Sequence, residues 1–178
     1  MSKTTEEHKA EAPERLKFAV IICSTSRYRE FFESRRLNDP TGDLIVKMLK
    51  EDSHTVTMRR IIPDDKMQIQ RVLMRALKSR RVDVVIFSGG TGISPRDVTI
   101  EAVQPLLEKE MPGFGEVFRA LSYEEVGSAA ILTRTLAGVA RGKAIFCLPG
   151  SPQAASLALE KLILPEASHI IKHAREKS

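Results

Sequence analysis

The sequence has no tryptophan, two tyrosines, two cysteines and four histidines. So few aromatic side chains argue against a surface that stacks the bases of single-stranded nucleic acid. The cysteines, Cys23 and Cys147, form no CxxC pair, and the histidines lack metal-ligand spacing, so a zinc site is not expected. We predict instead that both cysteines are buried, reduced thiols.

Long apolar runs and long charge blocks are also missing. No apolar stretch reaches the roughly eighteen residues of a membrane-spanning helix, and Met1–Glu14 is too polar for a signal peptide. The formal net charge is +5, but the basic residues are scattered along the chain. This pattern favours small anions such as nucleotides over a nucleic acid or a membrane. We therefore expect a cytoplasmic protein with a flexible tail (1–14) and one domain (15–178).

Apolar runs alternate with helical patterns along the chain. The predicted strands are Lys17–Cys23, His54–Ile62, Val82–Phe87 and Ala144–Leu148, with Leu132–Val139 ambiguous between extended and irregular structure. Of the predicted helices, one begins near Thr41, one runs from Asp64 or Asp65 to Arg80, one runs from Pro95 to Leu107, and one covers Glu116–Ser122. A final helix follows the turn Pro149–Pro152, with Pro165 as a potential interruption. The polar segment Ser24–Pro40 is predicted to be a loop, either a functional lid or disordered. This order predicts an α/β fold, a three-layer sandwich whose mostly parallel central sheet has helices on both faces.

A glycine-rich stretch, SGGTGISPRD, directly follows the third of these strands, where ligands bind in open α/β sheets. Glycines let a phosphate approach the backbone closely, and the N–H groups at the start of the following helix favour an anion. The candidate binding residues in this loop are Gly89, Gly90, Thr91 and Gly92. Their spacing matches neither GxGxxG nor a P-loop, and a tight turn that binds nothing is the alternative.

Two aspartates accompany this loop. Asp97 is predicted in the first turn of the next helix, where it either caps the helix or faces a metal ion beside phosphate. Asp64 follows the second strand, so in a parallel sheet it emerges at the same edge as Asp97. Mg²⁺ takes one or two carboxylates together with phosphate oxygens. The pair therefore predicts Mg²⁺–nucleotide chemistry.

Two further loops belong to the same sheet edge. The loop after the first strand offers hydroxyls and a guanidinium, the usual partners of phosphate, at Ser24, Ser26 and Arg27. The loop after the last strand consists of Pro149, Gly150, Ser151 and Pro152. Its Gly-Ser pair either caps the final helix or binds an anion.

Three segments carry a family resemblance: SGGTGISPRDVTIEAV, MPGFGEVFRALSYEEVGSAAILTRTLAGVARG and AIFCLPGSPQA. In this order and spacing they resemble the MoaB/MogA family of molybdenum-cofactor biosynthesis, and the stretch 114–127 is most similar to the MoaB branch. The resemblance spans residues 17–171. It implies an α/β sandwich that transfers AMP from Mg²⁺-ATP to the terminal phosphate of molybdopterin. It also implies assembly into trimers or hexamers.

The resemblance assigns roles to individual residues. Asp97 corresponds to the essential acid of the family, and Asp64 to a second acid that some weakly active MoaB proteins lack. The loop 89–92 corresponds to the nucleotide side of the site, and the loop 149–152 to a segment that holds the pterin or the nucleotide. Ser26 departs from the pattern, because many members have an acid there.

Two alternatives to an adenylyltransferase remain on this evidence. The chain could bind molybdopterin or its precursor without transferring AMP, or it could serve as an oligomeric scaffold. The apolar segment Phe114–Tyr123 is compatible with either a core helix or a subunit interface.

Overall fold

The computed structural model describes residues 13–34 and 38–176, and a six-stranded sheet lies at its centre. The strands are Lys17–Cys23 (β1), Thr55–Ile62 (β2), Val84–Ser88 (β3), Lys109–Glu110 (β4), Leu136–Ala140 (β5) and Lys143–Leu148 (β6). Their order across the sheet is β2-β1-β3-β6-β5-β4. The first four in this order are parallel, and β5 and β4 are antiparallel to their neighbours. The predicted mostly parallel sheet is confirmed.

Helices cover both faces of the sheet. They are Thr25–Ser34 (α1), Pro40–Glu51 (α2), Lys66–Lys78 (α3), Thr99–Val103 (α4), Pro112–Val126 (α5), Pro152–Ala158 (α6) and Leu164–Ala174 (α7). Short 3₁₀ turns extend α4 over Gln104–Leu106 and α5 over Gly127–Leu132. One apolar core joins the sheet to α2, α5, α6 and α7, and a second joins it to α3 and α4. This is the predicted three-layer α/β sandwich.

Strand β1 shows how the sequence builds two cores at once. Successive side chains of a strand point to opposite faces, so Phe18 and Val20 enter one core while Ala19 and Ile21 enter the other. All four residues are fully buried. Continuous apolar runs are therefore required in central strands covered by helices on both sides, as the sequence predicted.

The predicted loop Ser24–Pro40 is wrong in its first part, because α1 occupies residues 25–34. Ser24 begins this helix by accepting a hydrogen bond from the N–H of Arg27 at 3.4 Å and, through its carbonyl, one from Tyr28 at 3.0 Å. The Tyr28 and Phe32 rings, one turn apart, lie 4.7 Å apart. This helix was not predicted because the many charged residues of the segment obscure the helical spacing of its aromatic residues. Residues 35–37 of the predicted loop lie outside the described residues.

The helix predicted to start at Pro95 begins instead at Thr99. Residues 94–97 form a closed turn, in which the N–H of Asp97 donates to the carbonyl of Ser94 at 2.8 Å. The Asp97 carboxylate in turn accepts the N–H of Ser94 at 2.9 Å. Proline suits the second position of such a turn as well as the first position of a helix, which is why the sequence misled us.

The predicted short helix Glu116–Ser122 is the middle of a longer one. Helix α5 starts at Pro112, a favourable first residue, so the glycines that suggested a break lie in its first turns. The ambiguous segment Leu132–Val139 resolves into the end of a 3₁₀ turn and strand β5. The two-residue strand β4 was not predicted.

At the other helices the predictions hold more closely. Asp65, one of the two predicted caps, accepts the N–H of Gln68 at 2.8 Å and starts α3. The final helix follows the turn at residues 149–152 as predicted and begins at Pro152, and a π turn over Leu159–Ile163 precedes Pro165. That wide turn lets the helical path continue into α7 in spite of the proline.

The first described residue of the chain is bound to the last helix. Of the predicted tail 1–14, residues 1–12 lie outside the described part, and the hydroxyl of Ser168 binds the carbonyl of Pro13 at 2.7 Å. In the described ranges, no helix combines the length and apolarity needed to cross a bilayer.

Candidate functional site

The glycine loop leaves the carboxyl end of β3 in a conformation that only glycine tolerates well. Gly89 and Gly90 have φ angles of +99° and +61°. A Cβ on Gly89 would stand 2.3 Å from the carbonyl oxygen of Cys23. Thr99 fixes the loop, because its hydroxyl binds the carbonyl of Gly89 and its N–H binds that of Gly90, both at 2.9 Å. The loop is thus held rigidly with its backbone open to an approaching ligand.

Asp64 lies beside this loop at the end of β2. One of its oxygens, Oδ2, accepts hydrogen bonds from both the N–H and the hydroxyl of Thr25 at 2.9 Å. Its other oxygen, Oδ1, is buried and has no hydrogen-bond partner among the described residues. A Cβ on Gly90 would stand 2.8 Å from that oxygen. Asp64 therefore offers one fixed, unsatisfied carboxylate oxygen to the glycine loop.

Asp97 lies against the next part of the same loop. Its Oδ2 would be 2.7 Å from a Cβ on Gly92. Because Asp97 precedes α4 by two residues, the predicted role as a first-turn helix cap is wrong. Its carboxylate instead closes the turn at Ser94 and remains partly exposed. The structure thus brings both predicted acids to the glycine loop, as expected for residues that follow parallel strands of one sheet.

Arg27 occupies the first turn of α1, and a buried acid holds its guanidinium. Asp39 is 1% exposed and lies 3.6 Å from Nη1 of Arg27 and 2.7 Å from Nη2 of Arg59. The hydroxyls of Ser24 and Ser26 are 3.2 Å apart beside them. Asp39 therefore orients the guanidinium of Arg27, whose side chain stays partly exposed.

The loop Pro149–Pro152 packs directly on the glycine loop. Gly150 is so close that a Cβ would stand 3.2 Å from the Cα of Gly89. The hydroxyl of Ser88 binds the carbonyl of Pro149 at 3.0 Å, and that of Thr41 binds the carbonyl of Gly150 at 2.9 Å. Ser151 caps α6 by accepting the N–H of Ala154 at 3.2 Å. Of the two roles that the sequence left open for Ser151, the structure shows the cap.

These loops enclose a cleft of about 470 Å³ at the carboxyl edge of the sheet. It is lined by predicted site residues: Ser24, Ser26, Arg27, Gly89, Gly90, Thr91, Gly92, Asp97, Pro149 and Gly150. Asp64, Ser151 and Pro152 are not among the residues that line the cleft. The wall also contains residues that the sequence reasoning missed: Cys23, Ser88, Leu132, Thr133 and Arg134.

Arg134 gives the cleft a second guanidinium. It pairs with Glu101 of α4. Burial raises the pKa of Glu101, but hydrogen bonding and charge from Arg134 outweigh it, so the pKa falls below its ordinary value. Arg134 and Arg27 both line the cleft, so an anion in the cleft meets positive charge from two elements. No motif or spacing in the sequence marks Arg134, which stands between a 3₁₀ turn and a strand, as a residue of the cleft.

Cys23 is the one thiol in the cleft wall. Burial raises the pKa of this thiol to about 12; a hydrogen bond with Thr99 opposes the rise and the charge of Asp64 adds to it. Burial likewise raises the pKa of the Cys147 thiol. Both cysteines are free and buried, which confirms the prediction of reduced thiols. A thiol that stays protonated is a poor nucleophile, so covalent catalysis by Cys23 is not favoured.

Across residues 13–34 and 38–176, no group of three or more His, Cys, Asp or Glu side chains is arranged to hold a metal ion alone. Mg²⁺ needs fewer protein ligands than such a group supplies. Mg²⁺ is usually bound by one or two carboxylates plus waters and substrate phosphates. The unsatisfied Oδ1 of Asp64 and the partly exposed carboxylate of Asp97 are such donors.

Comparison with known proteins agrees with this architecture. Residues 19–169 match the family described as "Probable molybdopterin binding domain". Molybdenum cofactor biosynthesis protein B of Bacillus subtilis is 43% identical over 97% of this chain and 98% of its own length. A protein of Pyrococcus furiosus named molybdopterin adenylyltransferase is 47% identical over 96% and 98%, respectively.

Solved structures give the same result. A crystal structure of molybdenum cofactor biosynthesis protein B has a TM-score of 0.85 at 43% identity and covers 94% of this chain and 100% of that one. The tungsten cofactor synthesizing protein MoaB of Pyrococcus furiosus has a TM-score of 0.81 at 45% identity, with 93% and 100% covered. With its fold, its glycine loop and its two acids in place, the chain belongs to the MoaB/MogA family of molybdopterin-binding proteins.

Proposed function

We propose that the chain is a molybdopterin adenylyltransferase, which transfers AMP from ATP to the terminal phosphate of molybdopterin. The observation that carries this proposal is the placement of Asp64 and Asp97 against Gly90 and Gly92 of one loop. The relative in Pyrococcus furiosus, with its adenylyltransferase name, supports the same reaction.

The reaction requires positioning and charge neutralisation more than covalent help from the protein. A phosphate oxygen of molybdopterin attacks the α-phosphorus of ATP, the bond to the β-phosphate oxygen breaks, and pyrophosphate leaves. The glycine loop lets the triphosphate lie against the backbone, where no Cβ intervenes. Arg27 and Arg134 line the cleft and offset negative charge on the phosphates.

Asp64 and Asp97 are the residues that would hold Mg²⁺. The ion, when bound with ATP, would neutralise phosphate charge that two carboxylates alone would repel. Asp64 is oriented for this by Thr25, which occupies one carboxylate oxygen and leaves the other available. Asp97 reaches the cleft directly and so adjoins the reacting phosphates.

The test is to incubate the purified protein with molybdopterin, ATP and Mg²⁺ and to measure adenylylated molybdopterin and pyrophosphate. Asp64→Ala should abolish detectable product, and Asp97→Ala should lower the rate of product formation to a small but measurable fraction. Glu51→Gln is the matched control, because this exposed carboxylate lies at the far end of α2 and pairs only with Lys47 among the described ion pairs. It should leave turnover unchanged.

The Asp97 variant also reports how that residue acts. If its contacts strengthen in the transition state, Asp97→Ala lowers kcat far more than it raises the KM for ATP. Equal losses in ATP affinity and turnover would contradict that role. Absence of product from the unmodified chain, with molybdopterin still bound tightly, would instead favour a binding protein that transfers no AMP.

The proposal includes assembly of the chain with copies of itself into a trimer or a hexamer. The segment Phe114–Tyr123 divides between core and surface: Phe118 is fully buried, whereas Val117 is 48% and Tyr123 63% exposed. Three more exposed apolar side chains follow in sequence: Val126 at the end of α5, and Ile131 and Leu132 in the 3₁₀ turn. Leu132 also lines the cleft, so this surface adjoins the site. Sedimentation of Ile131→Asp against the unmodified chain tests it, with smaller particles expected.

The proposed reaction also indicates where the protein works. ATP and Mg²⁺ are supplied in the cytoplasm, so the proposal places the chain there. Detection of the chain and its activity in a membrane fraction alone would contradict this placement.

A further inference from the structure

The last helix carries a cluster of ionisable side chains outside the cleft. Glu166, His169, His173 and Glu176 follow one another at spacings of three, four and three residues, which places them along one side of α7 and its end. The Nε2 atoms of the two histidines are 2.8 Å apart, and the ring centres are 4.6 Å apart. The proposed reaction uses none of these residues.

Carboxylates occupy the outer nitrogens of both rings. Nδ1 of His169 lies 3.2 Å from Glu166, and Nδ1 of His173 lies 3.1 Å from Glu176. An ionised carboxylate only accepts hydrogen bonds, so each Nδ1 carries the proton in these contacts. In the neutral rings, both Nε2 atoms then present lone pairs to each other. A cation between them, either a proton carried by one ring or a metal ion, would stabilise this arrangement.

We propose that His169 and His173 form a binding site for a divalent transition-metal ion such as Zn²⁺ or Ni²⁺. Neutral imidazole is a preferred ligand of these ions. A carboxylate on the far nitrogen of a ligating histidine is the usual supporting contact, since it fixes the tautomer and makes the ring more basic. The site has two protein ligands, and water completes the coordination.

The site is open to solvent and differs in kind from the magnesium site of the cleft. The His169 side chain is 23% exposed and that of His173 is 48% exposed, so an ion reaches both without unfolding of the helix. Mg²⁺ prefers oxygen ligands and competes poorly for two imidazoles. Millimolar Mg²⁺ should therefore leave this binding intact.

Bound metal would join two successive turns of α7. This part of the helix buries Ile171, and Arg175 just beyond it binds Asp83 at 2.6 Å and the carbonyl of Gly142 at 3.0 Å. The ion would bind the folded helix more tightly than the unfolded chain, in which the two rings are not held side by side. Metal should thus raise the melting temperature.

The experiment uses the full chain without a polyhistidine tag, stripped of metal and titrated with NiCl₂ by calorimetry in the presence of MgCl₂. One Ni²⁺ per chain is expected, with affinity at least about tenfold lower in His169→Gln and in His173→Gln. Ni²⁺ should raise the melting temperature of the unmodified chain and of His8→Gln, the matched control, but not of the two α7 variants. Circular dichroism verifies that all variants are folded.

Three results would overturn the proposal. The first is no binding heat in the unmodified chain, which would leave a shared proton as the species between the rings. The second is binding that persists in both α7 variants. The third is binding that His8→Gln removes. None of these outcomes depends on adenylyl transfer, so the metal site and the proposed reaction stand or fall separately.

Discussion

Thr25 holds Asp64 through three hydrogen bonds that join residues 39 positions apart. Its N–H and its hydroxyl both donate to Oδ2 of Asp64 at 2.9 Å, and its hydroxyl accepts the N–H of Asp64 at 3.0 Å. These contacts leave Oδ1 of Asp64 directed at the glycine loop. The residue that orients this acid is therefore the first residue of α1, which follows β1, the strand next to β2.

Replacement of Thr25 by valine tests this relationship. Valine keeps the shape but removes the hydroxyl, so the Asp64 carboxylate loses one donor and its N–H loses an acceptor. Turnover should fall by about 10–100-fold, the usual effect of losing a residue that orients a metal-binding carboxylate. Thr25→Ser, which keeps the hydroxyl, should retain most of the activity. Equal losses in the two variants would show that packing, rather than the hydroxyl, matters.

Gly90→Ala should damage both stability and activity. The new Cβ would stand 2.5 Å from the hydroxyl of Thr99 and 2.8 Å from Oδ1 of Asp64, at a φ of +61°. We expect a loss of about 1–3 kcal/mol in the free energy of unfolding and almost complete loss of turnover. Urea denaturation and the product assay measure the two effects.

Gly113→Ala is the control for that substitution. A Cβ there meets no atom within 4 Å, and the residue lies in the first turn of α5. Alanine at such a position should be neutral or stabilise by up to about 1 kcal/mol. A large loss of stability at Gly113 would mean that the glycine argument at position 90 is too simple.

The part of this site that could be predicted from sequence follows from one rule. Residues that follow parallel strands meet at one edge of the sheet, and this rule alone predicts that Asp64, Asp97 and Gly89 lie together. The apolar runs that become β1 and β3 were equally clear, because strands buried on both faces leave no room for polar residues.

The residues that support the site could not be predicted. Thr25 and Asp39 act through contacts with residues far along the chain, and Thr99 acts through bonds to the glycine loop that precedes it. Neither periodicity nor local spacing records such contacts. The predicted helix start at Pro95 was wrong for another reason. A proline followed by an acid is equally compatible with a helix start and with the hydrogen-bonded turn that Asp97 closes.

Asp39→Asn should destabilise the fold and weaken ATP binding. The carboxylate is buried and faces both Arg59 and Arg27, so its loss removes a counter-charge from Arg27 and leaves Arg59 paired with the exposed Asp43. Removing one member of a buried ion pair costs about 3–5 kcal/mol, and the partial exposure of both arginines places the expected loss at about 2–3 kcal/mol. The KM for ATP should rise, because Arg27 loses the contact that orients it.

Asp43→Asn is the matched control for this prediction. Asp43 also binds Arg59, at 2.7 Å, but its side chain is 66% exposed. Exposed ion pairs contribute at most about 1 kcal/mol, so denaturant titration should show a much smaller change than for Asp39→Asn. Comparable losses in the two variants would contradict a special role for burial at Asp39.

His54 should make stability depend on pH. Its Nδ1 accepts the N–H of Leu16 at 3.3 Å, and the ring lies 5.1 Å from that of Phe18. Burial lowers the pKa of His54 below its ordinary value of 6.5, with the charge of Asp52 opposing the shift. The unfolded chain therefore takes up a proton at a higher pH than the folded chain does. The stabilisation by neutral His54 should be fully present above about pH 7. The free energy of unfolding should then decrease as the pH drops through 6.5 towards the lower folded pKa.

Urea denaturation at several pH values between 8 and 5 measures this dependence, and two substitutions separate its causes. His54→Gln should flatten the decline in this window, because the group that titrates is gone. Asp52→Asn should steepen it, since loss of the nearby negative charge lowers the folded pKa of His54 further and enlarges the gap to the unfolded state. A decline that His54→Gln leaves unchanged would assign the pH dependence to other groups.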